Sequence, residues 1–110
     1  MDIEQFREYC LSFEDVTEEF PFGPDTLVYK VSGKVFALTG LSEFASINLK
    51  CDPEKAVELR EQYAAVLPGY HMNKTHWNTI RIDHSISDRL IREWIADSYT
   101  LVRPKARKKK

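Results

Sequence analysis

The sequence LVYKVSGKVFALT, residues 27–39, consists of two runs rich in β-branched and aromatic residues joined by Ser32-Gly33. A two-residue link that ends in glycine favours a tight antiparallel hairpin. We therefore predict strands over residues 27–31 and 34–39. This hairpin is the clearest local signal in the chain, and the other elements are assigned outward from it.

Two elements are expected before the hairpin. Asp2 is suited to cap a helix, and apolar residues recur at helical spacing after it, which predicts a helix from Ile3 to Leu11. The residues from Val16 to Phe20 alternate loosely before the turn-rich sequence PFGP at 21–24. We expect a short strand there.

Three further elements are expected between the hairpin and residue 83. A strand is predicted over residues 45–50, after a loop at 40–43. The sequence Asp52-Pro53-Glu54 supplies a capping side chain, a first-turn proline and an acid, and this combination predicts the start of a second helix. Pro68-Gly69 interrupts the chain soon afterwards, and residues 77–83 are typical of another strand.

The last predicted element is a helix that opens at Ser87-Asp88 and ends near Val102, before Pro104. The order helix, strand meander, helix, strand, helix predicts an α+β fold, in which the helices pack on one face of an antiparallel sheet. Residues 1–102 are expected to form a single domain. Residues 103–110 then form a basic C-terminal tail, which we expect to be flexible.

The composition fits one domain in a reducing compartment. The chain has 110 residues, of which 43% are hydrophobic, and this is enough for an ordinary core without a disulfide or a structural metal. Cys10 and Cys51 provide neither a disulfide framework nor the paired spacing of a zinc site, so a cytoplasmic protein is expected. No uncharged run approaches the ~20 apolar residues of a membrane span, so no membrane partner is expected.

The formal net charge of −1 conceals an uneven distribution of charge. Residues 1–25 contain eight acids and one basic residue, whereas residues 103–110 contain six basic residues and no acid. The basic tail can stay solvated, contact phosphates, or be attracted to the acidic front of the chain at modest salt.

The segment PGYHMNKTHWNTI, residues 68–80, carries the densest chemistry of the chain. In a strand that begins at His76, alternation places His76 and Asn78 on the face that continues with Ile80. Burying an imidazole and an amide costs free energy unless both are hydrogen-bonded. These side chains therefore either find partners within the fold or lie at the end of the sheet beside a ligand.

Neither a metal site nor a nucleophile is predicted in this segment. His71 and His76 lie five residues apart without a carboxylate or thiolate at ligand spacing, and no nucleophile motif occurs. We therefore assign no catalytic residue, metal or cofactor. Loose cation binding by scattered acids is disfavoured because nothing in the sequence fixes their geometry. These acids are Glu4, Glu8, Glu14, Asp15, Glu18 and Glu19.

Four segments together resemble a known family: FPFG at 20–23, VSGKVFAL at 31–38, INLKCDPE at 47–54 and the block at 68–80. They are similar to the MmcQ/YjbR family of small bacterial proteins, and the resemblance extends from the first helix to residue 102. It implies a CyaY-like α+β fold, and a DNA-binding function by analogy with a double-wing sheet. It also implies a protein without enzymatic activity.

Under this resemblance, the exposed sheet and its hairpin would approach double-stranded DNA. The expected phosphate contacts are Lys30, Lys34, Lys74 and Arg81, with Asn73 and Asn78 available for hydrogen bonds and Trp77 for stacking or wedging. Residues 1–102 are net acidic. This charge opposes the DNA-binding hypothesis, because most DNA-binding domains present a basic face.

The alternative is a small interaction module with a pocket at the end of the sheet. Its ligand would be a small anion, which Lys74 favours, or a peptide of a protein partner. The expected lining of the pocket is Tyr70, His71, Asn73, His76, Trp77 and Asn78. Nothing in the sequence requires a dimer, so a monomer is expected, although an uncovered sheet edge could support pairing.

Overall fold

A computed structural model of the protein describes residues 1–70 and 72–104. His71 and the tail residues 105–110 lie outside the described residues. In chain order the elements are α1 Ile3–Leu11, β1 Val16–Glu19, β2 Thr26–Val31, β3 Lys34–Gly40, β4 Ser46–Lys50, α2 Pro53–Gln62, β5 Val66–Pro68, β6 Trp77–Arg81 and α3 Asp88–Val102.

The six strands form one sheet in the order β1-β2-β3-β4-β6-β5, and every neighbouring pair is antiparallel. The hydrophobic core combines residues from all three helices with alternate strand residues such as Leu27, Tyr29, Ile47 and Leu49. The helices thus cover one face of the sheet, which confirms the predicted α+β class. We call the opposite side the open face.

The predicted hairpin forms β2 and β3. Ser32 and Gly33 have φ values of 53° and 81°, the left-handed pair that a tight two-residue turn requires. The register shifts beyond Tyr29, which pairs with Ala37, while the next pair joins Lys30 to Val35. Phe36 is the extra residue of this bulge, and the bulge allows the consecutive residues Phe36 and Ala37 to enter the core together.

Each helix begins at a side chain that caps it. Asp2, Asp52 and Ser87 each accept a hydrogen bond from the backbone N–H three residues later, which satisfies one of the free donors of the first turn. All three starts agree with the predicted ones. In the described part of the chain, no helix has the length and apolar character needed to cross a bilayer.

A buried serine attaches α3 to the centre of the sheet. The hydroxyl of Ser98 donates to the carbonyl of Phe36 at 2.6 Å and accepts from the backbone N–H of Lys50 at 2.9 Å. These two bonds join the helix to β3 and β4. Because the hydroxyl is fully buried, both bonds are needed to offset the cost of removing it from water.

The strand β5 is absent from the sequence prediction, which treated Pro68-Gly69 only as a break. Val66–Pro68 pairs with β6 at the edge of the sheet, where the missing N–H of Pro68 disrupts no inner ladder. A three-residue edge strand has too little local pattern to be recognised. Its position depends on β6, which comes later in the chain.

Strand β6 ends at Arg81, two residues earlier than predicted. Asp83 turns the chain there, because its Oδ1 accepts hydrogen bonds from both the backbone N–H and the hydroxyl of Ser85. His84 between them has a positive φ of 69°. Polar side chains that bond their own backbone in this way favour turns over strand pairing.

Candidate functional site

The loop at residues 69–76 is held together by two of the predicted site residues. Asn73 Oδ1 accepts hydrogen bonds from the backbone N–H groups of Thr75 and His76, at 2.8 and 3.2 Å. Lys74 Nζ donates to the carbonyl of Gly69 at 3.0 Å, across the base of the loop. Both side chains therefore shape the loop, although each is exposed.

Arg60, which the sequence reasoning did not select, joins this loop to α2. Its Nε donates to Asn78 Oδ1 at 2.8 Å, and its Nη2 donates to the carbonyl of Lys74 at 2.5 Å. One guanidinium thus fixes both the loop and the strand that follows it. No local pattern identifies Arg60, because it is only one of several charged residues on a helix.

Asn78 lies on the helix-covered face and is only 1% exposed. Besides the bond from Arg60, its Nδ2 donates to the carbonyl of Ala56 at 3.3 Å. Alternation predicted this face correctly. The amide is therefore engaged within the fold and does not reach the open face, where the DNA-binding hypothesis needed it.

Trp77 belongs to the opposite face of β6, but it is covered rather than exposed. The backbone of Gly69 packs on it, with the Gly69 N–H donating to the Trp77 carbonyl at 2.9 Å. A Cβ atom at position 69 would lie 2.7 Å from the Trp77 Cβ. With 8% of its surface exposed, the indole is not available for the stacking role expected of it.

Tyr70 and Arg81 are brought together on the open face. They line a groove of about 310 Å³, together with Ser46, Leu67 and Thr79, and we call it the Tyr70–Arg81 groove. The Tyr70 ring is 70% exposed, and the backbone N–H of Tyr70 donates to the Thr79 hydroxyl at 2.9 Å. An exposed aromatic ring and a guanidinium therefore border the same concave surface.

The two hairpin lysines lie away from this groove. Lys30 is on the open face and its Nζ lies 3.1 Å from Glu19 Oε1. Because β3 and β4 separate them, β2 and β6 lie about 14 Å apart, and the register also offsets Lys30 from Arg81 along the strands. Lys34 is exposed at the start of β3. A long ligand could contact both Lys30 and the Tyr70–Arg81 groove, but a small ligand could not.

The two histidines do not form a described pair. The His76 carbonyl accepts from the backbone N–H of Cys51 at 2.7 Å, and its side chain is half-buried. His71 is outside the described residues. Within residues 1–70 and 72–104, no group of three or more His, Cys, Asp and Glu side chains is arranged to hold a metal ion.

Glu18, one of the acids considered for cation binding, is engaged by the fold. Its carboxylate accepts hydrogen bonds from Arg7 Nε at 2.9 Å and from the Tyr29 hydroxyl at 2.7 Å. The bond from Arg7 is the main reason that the pKa of Glu18 lies below its ordinary value, against the opposing effect of burial. Burial and the nearby carboxylate both raise the pKa of Tyr29.

Charge is distributed differently on the two faces of the molecule. By alternation, the strand residues of the open face include the cations Lys30, Lys50 and Arg81 and one acid, Glu19. The three helices contain eight acids and five basic residues. The strand residues of the open face are therefore net basic, whereas the helices are net acidic.

Comparison with known proteins shows the same fold and family. The YjbR family model matches residues 11–101. The chain is 44% identical to the uncharacterized protein YbdF of Escherichia coli O157:H7 over 84 residues, covering 76% of this chain and 69% of YbdF. It is 30% identical to the uncharacterized protein YjbR of Escherichia coli K12 over 100 residues, covering 90% and 85% of the two chains.

Solved structures agree with this relationship. A crystal structure of a Deinococcus radiodurans protein superposes with a TM-score of 0.88 at 35% identity, covering 97% of this chain and 82% of that one. A Pseudomonas syringae crystal structure gives a TM-score of 0.78 at 30% identity, covering 94% and 100%. The family model spans most of the chain, and the solved structures match it in both sequence and fold. The chain therefore belongs to the YjbR family.

Proposed function

We propose that this protein binds DNA through the open face of its sheet, without catalysing a reaction on it. The observation that carries the proposal is the segregation of charge, because the open face has three strand cations against one acid while the helices have an acidic excess. A local basic surface can contact phosphates even when the net charge of the whole chain is slightly negative.

The proposed contacts follow from the positions of the cations. Arg81 is exposed at the edge of the Tyr70–Arg81 groove, and Lys30 and Lys50 lie on other strands of the same face. Cations on several strands of one face can contact the phosphates of a nucleic-acid backbone, and such contacts give binding that depends little on sequence. Lys34 pairs with the core residue Val31, so it lies on the helix-covered side of the hairpin and is not among these contacts. Lys74 is a secondary contact because its ammonium already bonds to Gly69.

Tyr70 adds a second kind of contact. Its ring is 70% exposed beside Arg81, and aromatic rings at the surface of a sheet can stack on nucleic-acid bases. Stacking requires an unpaired base, so Tyr70 favours single-stranded over fully paired DNA. A comparison of the two forms of DNA measures this contribution.

The concavity of the Tyr70–Arg81 groove favours a second candidate function, the binding of a small anion. The groove has about 310 Å³, and small-molecule sites typically start near ~300 Å³. Arg81 would pair with the anion and Tyr70 would cover its apolar part. Unlike DNA, such a ligand would not reach Lys30.

The test is a two-dimensional amide NMR titration of the full-length chain at near-physiological salt, with a mixed-sequence duplex and its separated single strand. We expect shifts at Tyr70, Arg81 and the hairpin residues 32–33. Arg81→Ala should weaken binding about threefold to tenfold and reduce the salt slope by about 0.9. Arg89→Ala is the matched control, because Arg89 is exposed on α3 and its loss should change neither quantity.

The basic tail is present in both variants, so its contribution cancels in this comparison. Equal losses in Arg81→Ala and Arg89→Ala, or shifts confined to residues 103–110, would overturn the proposal in favour of non-specific attraction by the tail. Shifts confined to the groove, reproduced by inorganic phosphate or a mononucleotide, would favour the second candidate.

A further inference from the structure

A cavity of about 260 Å³ lies on the other side of the sheet, in the crevice between α2 and α3. Its floor is formed by β4 and β6, and the link between β4 and α2 closes one end. We call it the α2–α3 cavity. It is separate from the Tyr70–Arg81 groove, with which it shares none of its lining residues.

The walls of the α2–α3 cavity are mainly apolar. They consist of Leu49, Leu59, Ile80, Trp94 and Leu101, contributed by both strands and both helices. Leu101 is about half exposed at the mouth. Apolar walls of this kind favour a ligand with an apolar body, because binding removes both surfaces from water.

One buried polar side chain lines the cavity. Asn78 Oδ1 accepts from Arg60, which fixes the amide so that Nδ2 is the donor end. One Nδ2 hydrogen is bonded to the Ala56 carbonyl, and across residues 1–70 and 72–104 no acceptor is bonded to the other. An amide that is 1% exposed is thus left with a donor available to a ligand.

The charged side chains around the cavity are already engaged. Lys55 lines it together with Asp52 and Asp97, and Lys55 Nζ lies 3.9 Å from Asp97 Oδ2, whereas alternation places the side chain of Lys50 on the open face. Asp52 is also engaged, because it caps α2. A carboxylate ligand would be opposed by both aspartates, and Lys55 is already paired with Asp97, so the surroundings favour a ligand without net charge.

From these observations we infer that the α2–α3 cavity binds a small uncharged molecule with an apolar body and a carbonyl-type acceptor directed at Asn78 Nδ2. The inference does not depend on DNA binding, which uses the opposite face. The half-buried thiol of Cys51 lines the cavity as a further wall, and burial raises its pKa, so the neutral thiol predominates near pH 7.

The test uses acetophenone, an aromatic ring with one carbonyl, and α-methylstyrene, which replaces that carbonyl by a carbon–carbon double bond of the same shape. NMR titrations of the full-length chain should show that acetophenone shifts the side-chain amide of Asn78 and the backbone amides of Cys51 and Lys55. α-Methylstyrene should bind about fivefold more weakly, the usual effect of one net hydrogen bond. Benzoate should also bind more weakly than acetophenone.

A chemical readout and a pair of variants complete the experiment. Acetophenone should slow alkylation of Cys51 by iodoacetamide, whereas Cys10 is fully buried and does not compete. Leu101→Trp should fill the mouth and weaken binding. Leu11→Trp is the matched control, because Leu11 is similarly exposed on α1 and lies outside the cavity.

Three results would overturn the inference. Absence of both Asn78 shifts and Cys51 protection at millimolar acetophenone would exclude the cavity as a site for this class of ligand. Equal affinity for acetophenone and α-methylstyrene would remove the role of the Asn78 donor. Tighter binding of benzoate would show that the site selects an anion instead.

Discussion

Arg60 Nε lies 2.8 Å from Asn78 Oδ1, so the last turn of α2 is bonded to β6 immediately after the loop at 69–76. Asn78 is nearly fully buried and Arg60 also holds the carbonyl of Lys74. The pair thus fixes the shape of the chain's most polar segment from the helical side of the sheet.

The first prediction is that Asn78→Ala lowers the free energy of unfolding by about 1–3 kcal/mol, because it removes two hydrogen bonds and leaves Arg60 and the Ala56 carbonyl without this partner. Urea unfolding measures the loss. Gln62→Ala, at an exposed amide on α2, should have little effect. Arg60→Ala and the double variant complete the test. A loss in the double variant equal to the sum of the two single losses would contradict a direct interaction between Arg60 and Asn78.

The second prediction concerns the contact between Gly69 and Trp77. Gly69→Ala should destabilise the fold by about 1–3 kcal/mol, because its Cβ would lie 2.7 Å from the Trp77 Cβ and 2.9 Å from the Trp77 carbonyl oxygen. Gly40→Ala is the control, since its nearest neighbour would be 3.9 Å away. Equal melting temperatures for Gly69→Ala and Gly40→Ala would contradict the prediction, because they would show that the loop moves aside freely.

The third prediction is a pH dependence at Glu18. The pKa of Glu18 is lower in the folded state than in the unfolded chain. The stabilising effect of the ionised carboxylate is therefore fully present above the unfolded-state pKa of about 4.3, and it is lost as pH falls through the folded-state pKa. Glu18→Gln should therefore cost about 1–2 kcal/mol at pH 7 and progressively less below pH 4. Urea unfolding across this range should show no such trend for Glu8→Gln, at an exposed position on α1. A constant difference for Glu18→Gln would refute the linkage.

The fourth prediction is that Ser32→Asn stabilises the hairpin. Ser32 has a φ of 53°, a conformation that asparagine tolerates better than serine, and Asn-Gly is the preferred pair for this turn. The gain should be about 0.5 kcal/mol, visible as a higher melting temperature. A lower melting temperature would mean that the serine hydroxyl makes a contribution which the turn geometry does not explain.

The parts of the fold that the sequence predicts are those with local causes. The hairpin at 27–39 and the caps at Asp2, Asp52 and Ser87 are each determined by residues close together in the chain. By contrast, β5 and the bulge at Phe36 depend on strands and core neighbours that are distant in sequence. Short windows contain no signal for them.

The candidate site was predictable to a similar degree. Tyr70 and Arg81 were selected for their chemistry, and the structure places them beside one groove. Alternation also assigned Asn78 and Trp77 to opposite faces, but it could not show that Trp77 is only 8% exposed or that Gly69 packs against its backbone and Cβ. Arg60 was missed because its importance lies in partners 14 and 18 residues away.

The strand order also has a consequence for folding kinetics. β2 and β3 need only a two-residue turn to meet, whereas β4 and β6 can pair only after the chain containing α2 and β5 has closed a long loop. Loop-closure entropy makes the first pairing early and the second late. We expect the half of the sheet that bears the Tyr70–Arg81 groove to be completed last and, in hydrogen exchange, to open first.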